Sequence, residues 1–287
     1  MERIALKIGY LGTHYHGFQV QPQSAVPTIE GALFEALTAL QIIEDRAIAN
    51  YAAAGRTDKG VHAFAQVLSF DTAQRNLSPR MINSMLPRDI WVFGLAKPST
   101  PSFNARKDAL SRTYRYYLYA PPNTDLDVAR IQDAAARFIG THDFSNFAQA
   151  PGHHEQEAEH FSPIREITRL EISHDANSSF ITIEIAANSF LRKMVRKIVT
   201  ALTLVGRGSR ACEWVDALLE REITEAIEPA PPYGLVLANV TYPEISFVED
   251  EYAKRHIVAR LTEALLMHAS TAAVLERMIR EYAPGTS

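Results

Sequence analysis

One cysteine, Cys212, stands in 287 residues. A lone thiol closes no disulfide within the chain, supplies no multi-cysteine zinc site and suits a reducing compartment. Long apolar runs are scarce. The opening stretch, MERIALKIGYLG, alternates apolar and polar side chains where a secretory leader would be continuously apolar, and no later stretch reads as a bilayer span. The expectation is a cytoplasmic protein with no membrane partner. Excess positive charge is missing as well. With 29 Lys and Arg against 33 Asp and Glu the net charge is −4, which taken alone argues against a nucleic-acid partner.

What is there is an ordinary globular composition, 47% hydrophobic and 22% charged, long enough for one large domain or two smaller ones. The charge is unevenly spread. Residues 187–210 carry Arg192, Lys193, Arg196, Lys197, Arg207 and Arg210 and no carboxylate. A second basic group, Arg106, Lys107, Arg112 and Arg115, contains only Asp108, while Glu244, Glu249, Asp250 and Glu251 gather further on. Local basic surface, rather than net charge, makes a footprint for phosphates.

Periodicity divides the chain into two halves of similar element order. The first reads as a strand at 2–11, a helix at 28–40 capped by Thr28, strands at 48–54 and 61–70, a short helix opened by Ser78-Pro79, and a strand at 90–96. The second reads as an aromatic strand at 110–119, a helix at 127–139 stopping at Gly140, and strands at 164–173 and 180–187 joined by a turn at 175–177. A helix at 190–205 and a strand at 234–242 complete it. Residues 249–282 read as an appended helical pair. The fold expected is α+β and built from a duplicated unit, although no sequence repeat is visible. The units divide at 1–105, 106–245 and 246–287.

The turn between the strands at 48–54 and 61–70 reads AGRTDKGVHA, residues 54–63. It sets one carboxylate, Asp58, between Gly55 and Gly60 and beside Arg56 and Lys59. A plain charged surface turn is the simple reading. A carboxylate so placed is also biased to stay ionised, and an ionised Asp at a tight turn can present a nucleophile. Other candidates have structural alternatives too. His14 and His16, and His153, His154 and His160, match no zinc spacing, so solvated loops are the leading reading. Tyr114, Tyr116, Tyr117 and Tyr119 read as an aromatic strand, though a Tyr between Arg112 and Arg115 can stack on a base. Arg196 sits in an otherwise apolar row with Met194, Val195, Ile198 and Val199. Unpaired, such a charge is costly to bury.

Taken together, the strings resemble the tRNA pseudouridine synthase A family. AGRTDKGVHA matches its signature GRTD-x-GVHA throughout. YLGTHYHGFQVQP, FNARKDALSRTYRYYLY, GTHDFSNFA, NSFLRKMVRKIVTALTLVGRG and GLVLANVTYP agree in order, so the resemblance covers about residues 4–243. Phe18 where relatives often have Trp, Asn104 where bacterial relatives often have His, and Thr200 where many carry Gly mark a different branch. The loop at 149–162 and the appended helices look archaeal in type.

The resemblance implies two ferredoxin-like, RRM-like halves around a mixed, mostly antiparallel sheet with a C-terminal helical extension. It also implies a homodimer, no cofactor and no metal. The reaction implied is isomerisation of uridine to pseudouridine at positions 38, 39 and/or 40 of the tRNA anticodon stem-loop. Asp58 is then the expected nucleophile, Tyr114 the tyrosine over the target uracil, and Arg196 the arginine pairing with Asp58. Arg56 would occupy the space the flipped uridine vacates or brace the phosphate, and Leu237 (or Leu235) would floor the base pocket. The competing reading from another class is a non-catalytic RNA-binding protein of the same fold. An anion at the centre of a phosphate-attracting cleft costs a mere binder affinity, which favours the enzyme.

Overall fold

The computed structural model describes residues 1–21, 25–121, 124–149, 162–175 and 178–283. The turn expected at 175–177 lies partly outside these residues. His153, His154 and His160 lie wholly outside them.

The alternation at the start of the chain becomes strand β1 (Glu2–Tyr10), whose Ile4, Leu6, Ile8 and Tyr10 are all buried. Thr28, in extended conformation, caps α1 (Ile29–Ala39) by accepting the Gly31 N–H at 3.2 Å. β2 (Ala52–Ala53) and β3 (His62–Thr72) flank the Asp58 turn. Ser78 caps α2 (Pro79–Asn83), with proline at its start where a missing N–H costs nothing, and β4 (Ile90–Ala96) follows. These strands lie side by side in the order β4-β1-β3, with β2 on β3.

The second half repeats that plan. β5 (Ser111–Tyr119) leads to α3 (Val128–Arg137), capped by Asp127, and then to β6 (Gly140–Asp143) and β7 (Ile164–His174). β8 (Phe180–Ala187), α4 (Met194–Gly206), α5 (Cys212–Leu219) and β9 (Leu235–Thr241) complete it. Its strands lie in the order β9-β5-β8-β7, with β6 at the edge. Numbered within each half, both sheets run fourth, first, third, second strand, which is the arrangement of a ferredoxin-like unit. The halves fuse where β3 and β9 run parallel, His62 opposite Val236 and Ala63 opposite Leu237. The remaining ladders are antiparallel. One ten-stranded, mixed sheet results, and the fold is α+β as expected.

On β5 the alternation is plain: Arg112, Tyr114 and Tyr116 are buried, whereas Tyr117 and Tyr119 on the other face are exposed. The helix α4 buries Met194, Val195, Ile198, Val199, Leu202 and Val205. The covered face therefore carries the core and the loop of Asp58 at its margin.

Four expectations are corrected. The strand expected over 48–54 shrinks to two residues, because Asp45 Oδ1 accepts the N–H groups of Ala47 (2.7 Å) and Ile48 (3.3 Å) and Asn50 turns at φ +44°. The helix expected from 190 starts at Met194, because Lys193 adopts a left-handed φ of +63° just before it. The C-terminal extension is not a helical pair. With neither Gly nor Pro to break it, it forms one 32-residue helix, α6 (Glu251–Tyr282), capped by Asp250 and preceded by β10 (Val248–Glu249) on the edge of β4. By length and composition α6 is also sufficient to cross a bilayer, with a mean hydropathy of 1.2 over 18 residues. The reading that no stretch could do so does not hold.

Candidate active site

The Asp58 loop is pinned residue by residue from elements far away in sequence. Fully buried Gln66 on β3 clamps Gly55: its Oε1 accepts the Gly55 N–H at 3.2 Å and its Nε2 donates to the Gly55 carbonyl at 2.8 Å. Arg112 on β5 donates Nε and Nη2 to the Ala54 carbonyl at 3.2 and 3.0 Å, and also reaches the carbonyls of Arg106 and Asn188. The hydroxyls of Tyr10 and Thr57 meet at 2.9 Å inside the core. Phe18 N–H donates to the Thr57 carbonyl, and Val61 N–H closes the turn on the Asp58 carbonyl. Gly17, at φ +100°, lets the neighbouring segment approach: a Cβ there would lie 3.0 Å from the Thr57 carbonyl oxygen.

On this fixed turn the Asp58 side chain faces α4. Arg196 Nη1 donates to Asp58 Oδ2 at 3.0 Å, while its Nε donates to the Ala230 carbonyl at 2.6 Å. The guanidinium is held at 12% exposure and the carboxylate at 24%, so the anion is open to a ligand and its partner stands behind it. The neighbours in sequence do otherwise. Lys59 Nζ lies 3.2 Å from His16 Nε2, and the Arg56 side chain is exposed. The charge partner comes from the other half of the fold.

Tyr114 projects from β5 into the same place. Its ring meets Phe190 edge-on at 5.1 Å, and a Cβ on Gly55 would lie 3.8 Å from its hydroxyl. Burial first, and then the negative charge of Asp58, push its phenol up to about 12, only partly offset by Arg112. At neutral pH it is a neutral donor. Leu237 lies opposite Tyr114 on β9 and opposite Ala63 on β3, fully buried as a floor between the three strands. The structure therefore gathers Asp58, Tyr114, Arg196 and Leu237 and leaves Arg56 on the outer rim. Gln66, Tyr10, Thr57 and Arg112 complete the scaffold and were not read as such from sequence. A glutamine inside the apolar run of β3 was the one signal available.

The basic groups divide in a way the sequence did not show. Arg112 is buried on main-chain carbonyls, Arg115 pairs with Glu184, and Lys197 donates to the carbonyls of Asn146 (3.3 Å) and Ala148 (2.7 Å). These are structural cations. Arg210 pairs with Glu225 and stacks over Trp214. Arg106, Lys107, Arg192 and Arg207 stay exposed. Arg106 belongs to the site's rim, since Arg112 ties its carbonyl to that of Ala54. Among the described residues no three His, Cys, Asp or Glu side chains gather as a cation site.

Comparisons with known proteins agree with this geometry. A family model for tRNA pseudouridine synthase matches residues 8–90 and 134–243. The tRNA pseudouridine synthase A of Methanosarcina barkeri is 45% identical over 280 residues, spanning 96% of this chain and 98% of its own. That of Methanosarcina acetivorans is 43% identical over the same shares, and that of Archaeoglobus fulgidus is 40% identical over 94% of this chain and 95% of its own. With the signature loop, its far-side arginine and the doubled ferredoxin-like sheet all in place, this chain belongs to the tRNA pseudouridine synthase A family and is an isomerase that acts on tRNA.

Proposed function

We propose that Asp58 is the nucleophile of this isomerase and that its uridines lie at positions 38, 39 and/or 40 of the anticodon stem-loop. The observation that carries the assignment is the Arg196–Asp58 ion pair: a carboxylate, open to solvent, fixed on a clamped turn with a mostly enclosed cation behind it. The reaction breaks the bond from ribose C1′ to uracil N1, makes one from C1′ to C5, and moves the C5 hydrogen to N1. A transient bond from Asp58 to the ribose or the uracil holds the two fragments together between these events. The target uridine has to leave its stack to reach this depth.

Tyr114 offers its ring to the flipped base and a protonated hydroxyl to its polar edge. Esterification of Asp58 would remove one of the two causes that hold the phenol high, so its acidity is coupled to the covalent step. Arg106, Lys107, Arg192 and Arg207 suit phosphates of the stem-loop, and Arg56 suits the space or phosphate beside the flipped nucleotide. Residues 1–105 supply the loop, 106–245 supply Tyr114, Arg196 and Leu237, and 246–287 form the extension. We place the enzyme in the cytoplasm, acting as a homodimer. Incubating the protein with unmodified tRNA transcripts and mapping pseudouridine at single-nucleotide level tests the reading. Product at one or more of positions 38–40 supports it, and product only elsewhere refutes the position.

A further inference from the structure

Among the described residues, helix α6 meets the body through its first turns. Asp250 caps it and pairs with Arg80, which also lies over the Tyr252 ring, and Ala253 and Ile257 are its buried residues. Arg88 reaches Glu263, and Leu261 lines an apolar cavity of about 210 Å³ between helix and sheet, together with Phe64, Trp91, Tyr117, Tyr233 and Val236. Beyond that point the helix carries Leu265, Leu266, Met267, Val274, Leu275, Ile279 and Tyr282, each more than half exposed. Residues 264–275 hold no Asp, Glu, Lys or Arg. A helical arm draws its stability from tertiary packing, and so large an apolar surface marks an interaction site.

The spacing says what covers it. Val258, Leu261, Leu265, His268, Ala272, Leu275, Ile279 and Tyr282 recur at alternating steps of three and four, a coiled-coil seam, with the polar Glu263, Ser270 and Arg277 along the opposite side. We infer that α6 pairs antiparallel with α6 of a second copy, about a two-fold axis near Ser270. This rests on the homodimer reading above and names its surface.

In that register the layers are Val258 with Tyr282, Leu261 with Ile279, Leu265 with Leu275, and His268 with Ala272, each formed twice, as an isologous contact requires. Large side chains meet small ones at the centre. The positions that flank the seam, Thr262, Ala264, Ala269, Thr271, Glu276 and Met278, bring no like charges together. Ile279 of one copy, opposite Leu261 of the other, enters the apolar cavity. The overlap of residues 258–282 is about 37 Å at ~1.5 Å per residue. A parallel pair would instead set His268 against His268 and bring the cationic turns of Lys254 and Arg255 together.

The test is light scattering of the full chain at micromolar concentration, with cross-linking. Wild type should have twice the 32.0 kDa chain mass, and Leu265→Glu and Leu275→Glu should halve it, while Ser270→Glu should not. In a Cys212→Ser background, Ala269→Cys and Thr271→Cys flank the axis and should be joined by a short bis-maleimide. Leu261→Cys and Tyr282→Cys should not. A monomeric wild type overturns both the homodimer reading and this surface. A dimer that survives both glutamate variants, or that cross-links at Leu261 or Tyr282, overturns the surface alone. Monomers that bind phosphatidylglycerol vesicles, and lose that binding in Leu265→Glu, would assign the helix to a membrane instead and overturn the pairing.

Discussion

Arg196 and Asp58, separated by 138 positions, meet at 3.0 Å across the junction of the two ferredoxin-like halves. Each half contributes one charge, and neither has its partner without the other. The duplication therefore assembles the pair: the first half supplies the carboxylate on a turn, and the second supplies the helix that answers it.

That pairing sets the first expectation. Arg196→Met keeps the stem and removes the charge, so the Asp58 anion loses its favoured partner. The single-turnover rate should fall by about 10²–10³-fold, the usual scale for a positioned charge at a reacting group, and the pH profile should move upward. Arg196→Lys keeps the charge without the fork that also reaches Ala230, and should lie between the two. An unchanged profile in Arg196→Met would remove Arg196 from the account.

The clamp on Gly55 gives a second. Gln66→Leu leaves the part-buried N–H and carbonyl of Gly55 without this partner, costing at most about 1–3 kcal/mol for each group. Denaturant unfolding should show that loss. Turnover on saturating tRNA should fall further than tRNA affinity, because the loop is mispositioned while the phosphate contacts remain. Tyr10→Phe removes the hydroxyl that meets Thr57 and also interacts with Gln66, and should cost about 1 kcal/mol or a little more. Equal losses of affinity and turnover in Gln66→Leu would argue against a positioning role.

The signature histidine sets a pH dependence. His62 Nδ1 accepts the Gly12 N–H at 3.1 Å, and Nε2 faces the Tyr233 carbonyl at 3.2 Å. Burial lowers its pKa below the ordinary 6.5. Its contribution is thus fully present above about 6.5 and is lost as pH falls from there through the lower folded value. Urea midpoints should drop between pH 7.5 and 5, and His62→Gln should flatten that drop. Tyr114 and Tyr116, both raised to about 12, act at the other end: their contribution is present below pH 10 and lost as pH rises towards 12.

Salt dependence distinguishes the two kinds of cation. If Arg106, Lys107, Arg192 and Arg207 meet phosphates, each Gln substitution should reduce the log–log slope of tRNA affinity against salt by about 0.7–0.9. Lys197→Gln should leave the slope unchanged, since that ammonium is committed to two carbonyls. Tracking filter-binding affinity from low to physiological salt checks both.

Much of this was legible in the chain itself. Period-two and helical patterns located β1, β4, β8 and α1 within a residue or so, because each buries one face against one core. The Asp58–Arg196 pair was anticipated too, through an arginine in an apolar row and a resemblance to a family. What escaped was long-range. Which cations are free depends on whether a carbonyl lies within reach, so Arg112 and Lys197 looked like Arg106 in sequence. The short β6 and β10 form only because a neighbouring edge offers ladder bonds. α5 is a two-turn helix without a side-chain cap, too brief for its pattern to stand out.

The most direct measurement is single-turnover mapping of pseudouridine with Asp58→Asn, run beside a tRNA-binding assay on the same preparation. The amide keeps the shape of the side chain, and the loop's other anchors at Ala54, Gly55 and Thr57 are untouched, but the anion proposed as nucleophile is gone. The account predicts no pseudouridine at positions 38, 39 or 40, with tRNA affinity equal to wild type or tighter, since a negative charge has left a phosphate-attracting cleft. Product formed at a rate near that of wild type would contradict it.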